Sequence, residues 1–201
     1  MKNNPQGIDV SNRNGKFDWA AWNGHIEFAM AKATEGIDFK DQEFNRNWRH
    51  MKLLKLHRFA YHYGHPVNDP SMQARIFTDF VKENGLERGD NFVLDLEDPD
   101  GSQPGHVSRW GWTFLKEVNR LCPGHRCLIY TYPAFIEEGN CARLGGWHLW
   151  VADYQVPRPA LPATGPWRKW TLWQNVGYGL DLDVYNGSLE DLERFCTTTG
   201  P

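Results

Sequence analysis

The stretch NFVLDLED at residues 91–98 ends an apolar run with two acids placed one residue apart. A carboxylate that leaves water without a partner is destabilised or has a strongly shifted pKa, so charge at the end of a buried strand needs a reason. Residues two apart on a strand share a face, with Cα atoms about 6–7 Å apart. Asp95 and Glu97 therefore point the same way as Val93, whereas Leu94 and Leu96 point the other way.

The length and composition indicate one globular domain. A chain of 201 residues is long enough for one sizeable domain, and 14% of the residues, including 10 Trp, are aromatic. The net charge of −3 shows no excess of positive charge of the kind that favours binding to nucleic acid or to an anionic membrane. No apolar run approaches the roughly 20 residues of a membrane helix. No metal or cofactor is expected, and Cys122, Cys127, Cys141 and Cys196 show no metal-ligand spacing. In a chain of this size, free thiols are predicted rather than a disulfide framework.

Short β-like runs alternate with helical ones along most of the chain. Asp69 and Pro70 signal a helix start, and apolar residues follow at helical spacing until Gly85. Similar spacing predicts helices before the third and fifth strands, and the helical signal fades after Tyr132. The eight predicted strands cover residues 7–11, 28–33, 56–63, 91–97, 127–132, 149–154, 170–174 and 182–185.

Repeated β–α units favour an α/β fold with parallel strands and right-handed crossovers. An open doubly wound sheet is the alternative, but no glycine-rich phosphate loop follows the first strand. We therefore predict an irregular TIM-like (β/α) barrel over residues 1–196, roughly (β/α)5(β)3, whose last strands lack helices. Residues 197–201 read as the start of a linker or a disordered tail.

Two further acids lie where a barrel would bring them to the same mouth. Asp9 ends the first strand in GIDVS, and Asp181 lies at the last strand in GLDLDVYNG. First and last strands are neighbours in a closed barrel, and active sites of such barrels form at the C-terminal ends of the strands. Each acid alone could simply cap a strand end in solvent. Together they predict a site built from Asp9, Asp95, Glu97 and Asp181.

Aromatic residues alternate along the predicted strands near these acids. Core packing is the commoner role for any single aromatic side chain. A mouth lined by aromatic rings beside acids is, however, a usual surface for sugar rings, so carbohydrate chemistry is the leading hypothesis. The aromatic residues concerned are Tyr61, Tyr63, Tyr130, Tyr132, Trp150 and Tyr154.

Eight sequence blocks together resemble glycoside hydrolase family 25, the Chalaropsis-type lysozymes of bacteria and phage endolysins. The blocks are GIDVS, AKATEG, AYHY, VLDLED, IYTYP, LWVADY, LWQN and LDLDVYNG, in order from about residue 7 to residue 195. The resemblance implies an irregular β/α barrel. It also implies an N-acetylmuramidase, or lysozyme, that cleaves the β-1,4 bond between N-acetylmuramic acid and N-acetylglucosamine in peptidoglycan during cell-wall lysis.

The resemblance also assigns roles to residues of this chain. The family's catalytic glutamate falls on Glu97, the preceding acid on Asp95 and the N-terminal aspartate on Asp9. The C-terminal aspartate falls on Asp181, with Asp183 as the alternative. The expected substrate-binding residues are Tyr61, Tyr63, Tyr130, Tyr132, Trp150, Tyr154, Gln174 and Asp183.

Glycoside cleavage needs an acid for the leaving oxygen and a negative group that supports the oxocarbenium-like transition state. Glu97 is the predicted acid, with Asp95, Asp9 and Asp181 expected to raise its pKa. Asp95 is expected to orient the 2-acetamido group of the substrate, which attacks the anomeric carbon with retention of configuration. Direct attack by Asp95 is the alternative, although its short side chain on the same strand makes that reach difficult.

Two other functions compete with this interpretation. A metal-dependent hydrolase would use His57 and His62 beside the acids, but no H-x-H or H-x-x-x-H pattern is present. A wall-binding module without catalysis would use the same aromatic mouth, but all four acids are retained.

The expected partner is a peptidoglycan glycan strand, bound by a monomer that is possibly fused to a C-terminal wall-binding domain. The first ten residues lack the apolar stretch of a signal peptide. We therefore expect action on the bacterial wall by a phage-encoded enzyme released from the host cytoplasm, or secretion by another route.

Overall fold

A nine-stranded sheet organises the protein, as seen in a computed structural model that describes residues 4–198. The sheet order is β1-β9-β8-β7-β6-β5-β4-β2-β3, and β1 also pairs with β2, so eight strands close a barrel and β3 extends it at the edge of β2. The predicted irregular barrel is confirmed. The strands are β1 (Gln6–Val10), β2 (Phe28–Glu35), β3 (Phe39–Lys40), β4 (His57–Tyr63), β5 (Asn91–Asp95), β6 (Cys127–Thr131), β7 (His148–Ala152), β8 (Leu172–Val176) and β9 (Asp181–Tyr185).

Barrel neighbours run parallel from β1 through β2 and β4 to β8, but β9 is antiparallel to both β8 and β1. The connection between β8 and β9 covers only residues 177–180. A parallel crossover needs a dozen or more residues, so this short loop permits only an antiparallel hairpin. The reversal places the beginning of β9, not its end, at the mouth formed by the C-terminal ends of the parallel strands.

Five α-helices accompany the strands within residues 4–198, and the predicted start signal marks the beginning of α2. Asp69 caps α2 by accepting a hydrogen bond from the Met72 amide at 2.7 Å, and Pro70 is the first helical residue. No helix connects β7 to β8, in agreement with the faded helical signal. Among residues 4–198, no helix is long and apolar enough to cross a membrane. The helices are α1 (Phe44–Leu53), α2 (Pro70–Glu83), α3 (Pro104–Leu121), α4 (Pro133–Glu137) and α5 (Leu189–Thr197).

Alternate residues of the strands serve two separate cores. Val93 lies inside the barrel with rings such as Phe28 and Phe59, whereas Leu94 and Leu96 pack in the outer layer against the helices. The opposite orientations expected for residues 93–97 are thus observed. The four cysteines are buried free thiols.

Helix α5 covers the end of the barrel opposite the acids. Leu192 and Phe195 pack with the interior residues, and each such burial contributes about 1.5–3 kcal/mol. The Arg126 guanidinium, just before β6, donates to the Phe195 carbonyl at 2.6 Å. Helix α5 ends at Thr197, so the first residue of the predicted linker is helical. Residues 199–201 of that linker lie outside the described part of the chain.

Candidate active site

The structure brings all four predicted catalytic acids to one mouth of the barrel. Asp9 is the fourth residue of β1, Asp95 ends β5, and Glu97 follows two residues later. Asp181 is the first residue of β9, and the antiparallel register pairs it directly with Asp9. All four line one cavity of 270 Å³. The convergence depends on the reversed β9, since a parallel last strand would have carried its first residue to the other end.

Most of the predicted substrate-binding residues line the same cavity. Tyr132 lies beside it instead, in an adjoining groove that shares Glu97, Tyr130 and Tyr154 with the cavity. Its hydroxyl donates to the Glu97 carbonyl at 3.4 Å. The predicted residues that line the cavity itself are Tyr61, Tyr63, Tyr130, Trp150, Tyr154 and Gln174.

Gln174 links one side of the cavity to its floor. Its amide nitrogen donates to the Asp9 carboxylate at 2.6 Å, and its carbonyl oxygen accepts from the hydroxyls of Tyr130, at 2.9 Å, and Tyr154. A side-chain amide donates and accepts at the same time, so it orders an acid and two phenols together. Asp9 is thereby held in a fixed orientation.

Asp183 has no exposed surface and does not line the cavity. One of its oxygens accepts from the Trp150 indole N–H at 2.8 Å, and the other, Oδ2, is buried with no donor among the described residues. Burial, followed by the charge of Asp9, holds the pKa of Asp183 well above its usual range. A proton on this carboxyl would satisfy the buried oxygen and reduce the repulsion from Asp9, so the neutral form of Asp183 is favoured.

Asp9 also has a raised pKa, about 7. Burial is the largest cause, and the charge of Asp181 adds to it, while the hydrogen bond from Gln174 acts in the opposite direction. Burial likewise raises the pKa of Asp181. The cavity floor and the buried layer beneath it, which contain Asp9, Asp181 and Asp183, therefore carry less negative charge near neutrality than these aspartates would carry in water.

Asp95 and Glu97 form a second acidic pair with unequal access to solvent. Asp95 is 7% exposed, and its Oδ1 has no hydrogen-bond partner among the described residues, whereas Glu97 is only partly buried. Burial, then the charge of Glu97, raises the pKa of Asp95 well above its usual range, and Lys32 opposes that shift. Asp95 can therefore accept a hydrogen bond from a substrate donor, and Glu97, which is more open to the cavity, can transfer a proton.

The pKa of Glu97 is raised, as predicted. Burial is the largest cause and Asp98 adds to it, while Lys32 and Arg13 lower the value. The charge of Glu97 also acts on its acidic neighbours, since it contributes to the raised pKa values of Asp95 and Asp9. Exclusion of solvent by the walls is thus the main cause that favours the protonated form of Glu97.

Sequence reasoning missed the cations of the cavity. Lys32 and Arg13 both line it, and the Lys32 ammonium lies 5.1 Å from the centre of the Tyr63 ring. The signal for Lys32 was available, because it alternates with Phe28 and Met30, which point into the barrel. Arg13 lies in a short 3-10 turn, Asn12–Asn14, for which strand alternation gives no information.

The two histidines of the metal-hydrolase alternative lie outside the cavity. His62 points into the outer layer, where its ring nitrogens contact Thr34 at 2.8 Å and Gln73 at 3.0 Å. Burial lowers its pKa to about 4. Within residues 4–198 there is no group of three or more His, Cys, Asp or Glu side chains arranged to hold a metal ion.

Comparisons with known proteins agree with this geometry. Residues 8–179 match the family model described as glycosyl hydrolases family 25. The chain is 31% identical to the protein YegX of Escherichia coli K12 over 94% of its own length and 72% of that protein. It is 30% identical to the N,O-diacetylmuramidase of Arthroderma benhamiae over 94% of this chain and 86% of that protein.

A solved structure gives the same result at the level of the fold. The bacterial lysozyme from Streptomyces coelicolor superposes with a TM-score of 0.83 and 27% identity, covering 98% of this chain and 99% of that one. Both the sequence match and the barrel extend over nearly all of the described residues. The chain belongs to glycosyl hydrolase family 25 and is a glycoside hydrolase.

Proposed function

We propose that this chain is a lysozyme, an N-acetylmuramidase that hydrolyses the β-1,4 bond between N-acetylmuramic acid and N-acetylglucosamine in peptidoglycan. The names of its relatives, an N,O-diacetylmuramidase and a lysozyme, support this substrate. The observation that carries the proposal is the acidic pair at the end of β5. Asp95 is buried with an unpartnered oxygen, and Glu97 is open to the cavity with a raised pKa.

Glu97 is the general acid in this proposal. Its raised pKa keeps a proton available near neutrality, and its position beyond the end of β5 gives it the freedom to reach a glycosidic oxygen. Lys32 and Arg13 lower that pKa, so the proton is not held too tightly for transfer. After the leaving group departs, the same carboxylate accepts a proton from the attacking water.

Asp95 orients the attacking group of the substrate. A sugar 2-acetamido N–H that donates to Asp95 Oδ1 would satisfy the buried oxygen and stabilise its charge. Because Asp95 and Glu97 interact, a hydrogen bond that favours the charged form of Asp95 leaves the proton on Glu97. The acetamido oxygen then attacks the anomeric carbon as the glycosidic bond breaks, and water opens the resulting ring with net retention of configuration.

The other acids shape the site around this reaction. Asp9, fixed by Gln174, and Asp181 hydrogen-bond to the sugar and stabilise positive charge on the oxocarbenium-like transition state. We assign Asp183 to the support of Trp150 rather than to direct contact, because it is wholly buried. Tyr61, Tyr63, Tyr130 and Tyr154 supply ring surface and hydroxyls for the sugars, and Tyr132 extends this surface along the adjoining groove.

Cleavage by the intact chain should be measured on purified peptidoglycan. Reduction of the fragments with borohydride and mass analysis should give muramic acid at the new reducing ends, and NMR of the first product should show the β anomer. Glucosamine at the new ends would mean a different bond specificity, and an α first product would reject the assisted route. We also expect the monomer to be active on bacterial walls.

A further inference from the structure

Four charged side chains form a continuous series beside the cavity, and we call this set the ionic clamp: Lys32, Glu35, His65 and Asp100. The Lys32 ammonium contacts Glu35 at 2.5 Å. The other Glu35 oxygen lies 3.3 Å from His65 Nε2, and both Asp100 oxygens lie 3.1 Å from His65 Nδ1. The series begins at a residue of the cavity wall and ends in the loop that carries Glu97.

The backbone of His65 is fixed from the outer layer of the barrel. Its amide donates to the Gln73 side chain at 3.1 Å, and its carbonyl accepts from the same side chain at 2.8 Å. The imidazole packs 5.3 Å from the centre of the Tyr63 ring. These contacts hold His65 in a fixed position between β2 and the loop after β5.

The first residues of the loop are tied to β6 and the residue after it. The Leu96 amide donates to the Tyr130 carbonyl at 3.0 Å, and the Glu97 carbonyl accepts from the Tyr132 hydroxyl at 3.4 Å.

The bonds farther along the loop are local, from the Asp100 amide to Asp98 at 2.8 Å and from the Ser102 amide to the Pro99 carbonyl at 2.8 Å. Asp100 has a φ of 49°, in the left-handed region that residues other than glycine seldom occupy. The contact of Asp100 with His65 therefore ties the turn after Glu97 to the body of the barrel.

The contacts at both ring nitrogens require a doubly protonated imidazole. A neutral ring has one N–H, so one of its nitrogens would face a carboxylate with a lone pair. The charged groups that face the ring are Glu35 from β2 and Asp100 from the loop, with Lys32 behind Glu35 and the Tyr63 phenol beside it on the same chain segment. Burial lowers the pKa of His65, but the hydrogen bonds to Asp100 and Glu35 outweigh it and the net pKa is raised.

We propose that His65 is a positioning residue, which fastens the Glu97 loop to β2 through Asp100 and Glu35 and so holds Glu97 beside Lys32 for the reaction. This inference rests on the proposed function for the role of Glu97, but the fastening of the loop is independent of it. The clamp holds while His65 is charged and opens as the pH rises through its raised pKa. Loss of activity above that pH is the functional consequence.

The test is hydrogen–deuterium exchange of the segment 96–103, corrected for intrinsic rates. The intact chain and two variants are each measured at two pH values, about one unit below and about two units above the ordinary histidine pKa of roughly 6.5. The unaltered protein should lose protection by about tenfold at the higher pH. His65→Arg, which keeps two donors and a fixed charge, should stay protected at both, and His65→Gln should be weakly protected at both. His25→Gln, at an exposed histidine before β2, is the matched control and should behave like the unaltered protein.

Steady-state kinetics on soluble glycan fragments completes the test. His65→Gln should lower kcat by about tenfold with little change in KM, and His65→Arg should restore it. Asp100→Asn removes the same contact from the loop side and should reproduce the effect of His65→Gln even where the arginine variant folds poorly. Protection that is equal in His65→Gln and the unaltered protein would refute the clamp. Changed protection with unchanged kcat would refute its positioning role, whereas the absence of any cleavage by the unaltered protein would refute the proposed function instead.

Discussion

Asp183→Asn offers a direct test of the charge state beneath the cavity floor. Asparagine has the shape of a protonated aspartate, with an oxygen that can accept from the Trp150 indole and an amide group in place of the buried Oδ2 hydroxyl. If Asp183 is neutral, the substitution keeps the hydrogen bond from Trp150 and removes only a titrating proton. We therefore expect the variant to fold and to retain most of its activity.

The magnitude follows from the raised pKa of Asp183. A buried carboxyl that stays protonated in the folded state, but ionises at a pKa of about 3.9 when unfolded, makes the folded state the form with more bound protons. The free energy of unfolding then falls by about 1.4 kcal/mol per pH unit above that value, until the folded-state pKa is reached. Asparagine removes this contribution, so the variant should gain about 1.4 kcal/mol relative to the unaltered protein for each pH unit above about 4 over which Asp183 stays protonated.

Urea unfolding at a series of pH values measures this difference, with Asp183→Ala as the contrast. Alanine also removes the proton, but it leaves the buried Trp150 N–H without an acceptor, which costs about 1–3 kcal/mol at every pH. The reasoning is refuted by a stability difference between Asp183→Asn and the unaltered protein that stays constant with pH. It is equally refuted by an asparagine variant as unstable as the alanine variant.

Two further substitutions probe other charged groups. Lys32→Met should shift the alkaline limb of the kcat/KM profile to higher pH, because Lys32 lowers the pKa values of both Asp95 and Glu97; an unmoved or acid-shifted limb would contradict this. Asp90→Ala should lower the free energy of unfolding by about 3–5 kcal/mol, since it leaves the buried Arg58 guanidinium, 2.7 Å from the Asp90 carboxylate, without that partner. If calorimetry shows that Asp90→Ala lowers the free energy of unfolding by less than about 1 kcal/mol, the Arg58–Asp90 pair is effectively solvated.

Much of the barrel could be predicted from the sequence because alternation within a strand is a local property. The alternation of residues 91–97 correctly predicts which side chains face the barrel interior and which face the helices, and the cap at Asp69 correctly predicts the start of α2. Helix α5 was readable in principle, since Ser188 and Asp191 form a capping box before an apolar pattern. No predicted strand follows that segment, so the alternation of strands and helices gives no prediction for it.

The depth of a side chain within the barrel could not be predicted in the same way. Asp181 and Asp183 share a face of β9, and sequence alone treats them as alternatives. The antiparallel register places Asp181 opposite Asp9 at the mouth and Asp183 opposite Gly7, deeper inside. Depth depends on strand direction, which depends here on the length of one loop. The large part of burial in the raised Glu97 pKa is not visible in the sequence for a similar reason, because burial is a property of the assembled walls.

The central claim is that Glu97 donates a proton to a muramyl glycosidic bond. Digestion of purified peptidoglycan by the unaltered chain and by Glu97→Gln, followed by borohydride reduction and mass analysis of the fragments, tests it most directly. We predict reduced muramic acid at the ends released by the unaltered chain, and at least a thousandfold loss of these ends with the glutamine variant, about 4 kcal/mol of transition-state stabilisation. Ends released by Glu97→Gln at a rate near that of the unaltered chain would contradict the account.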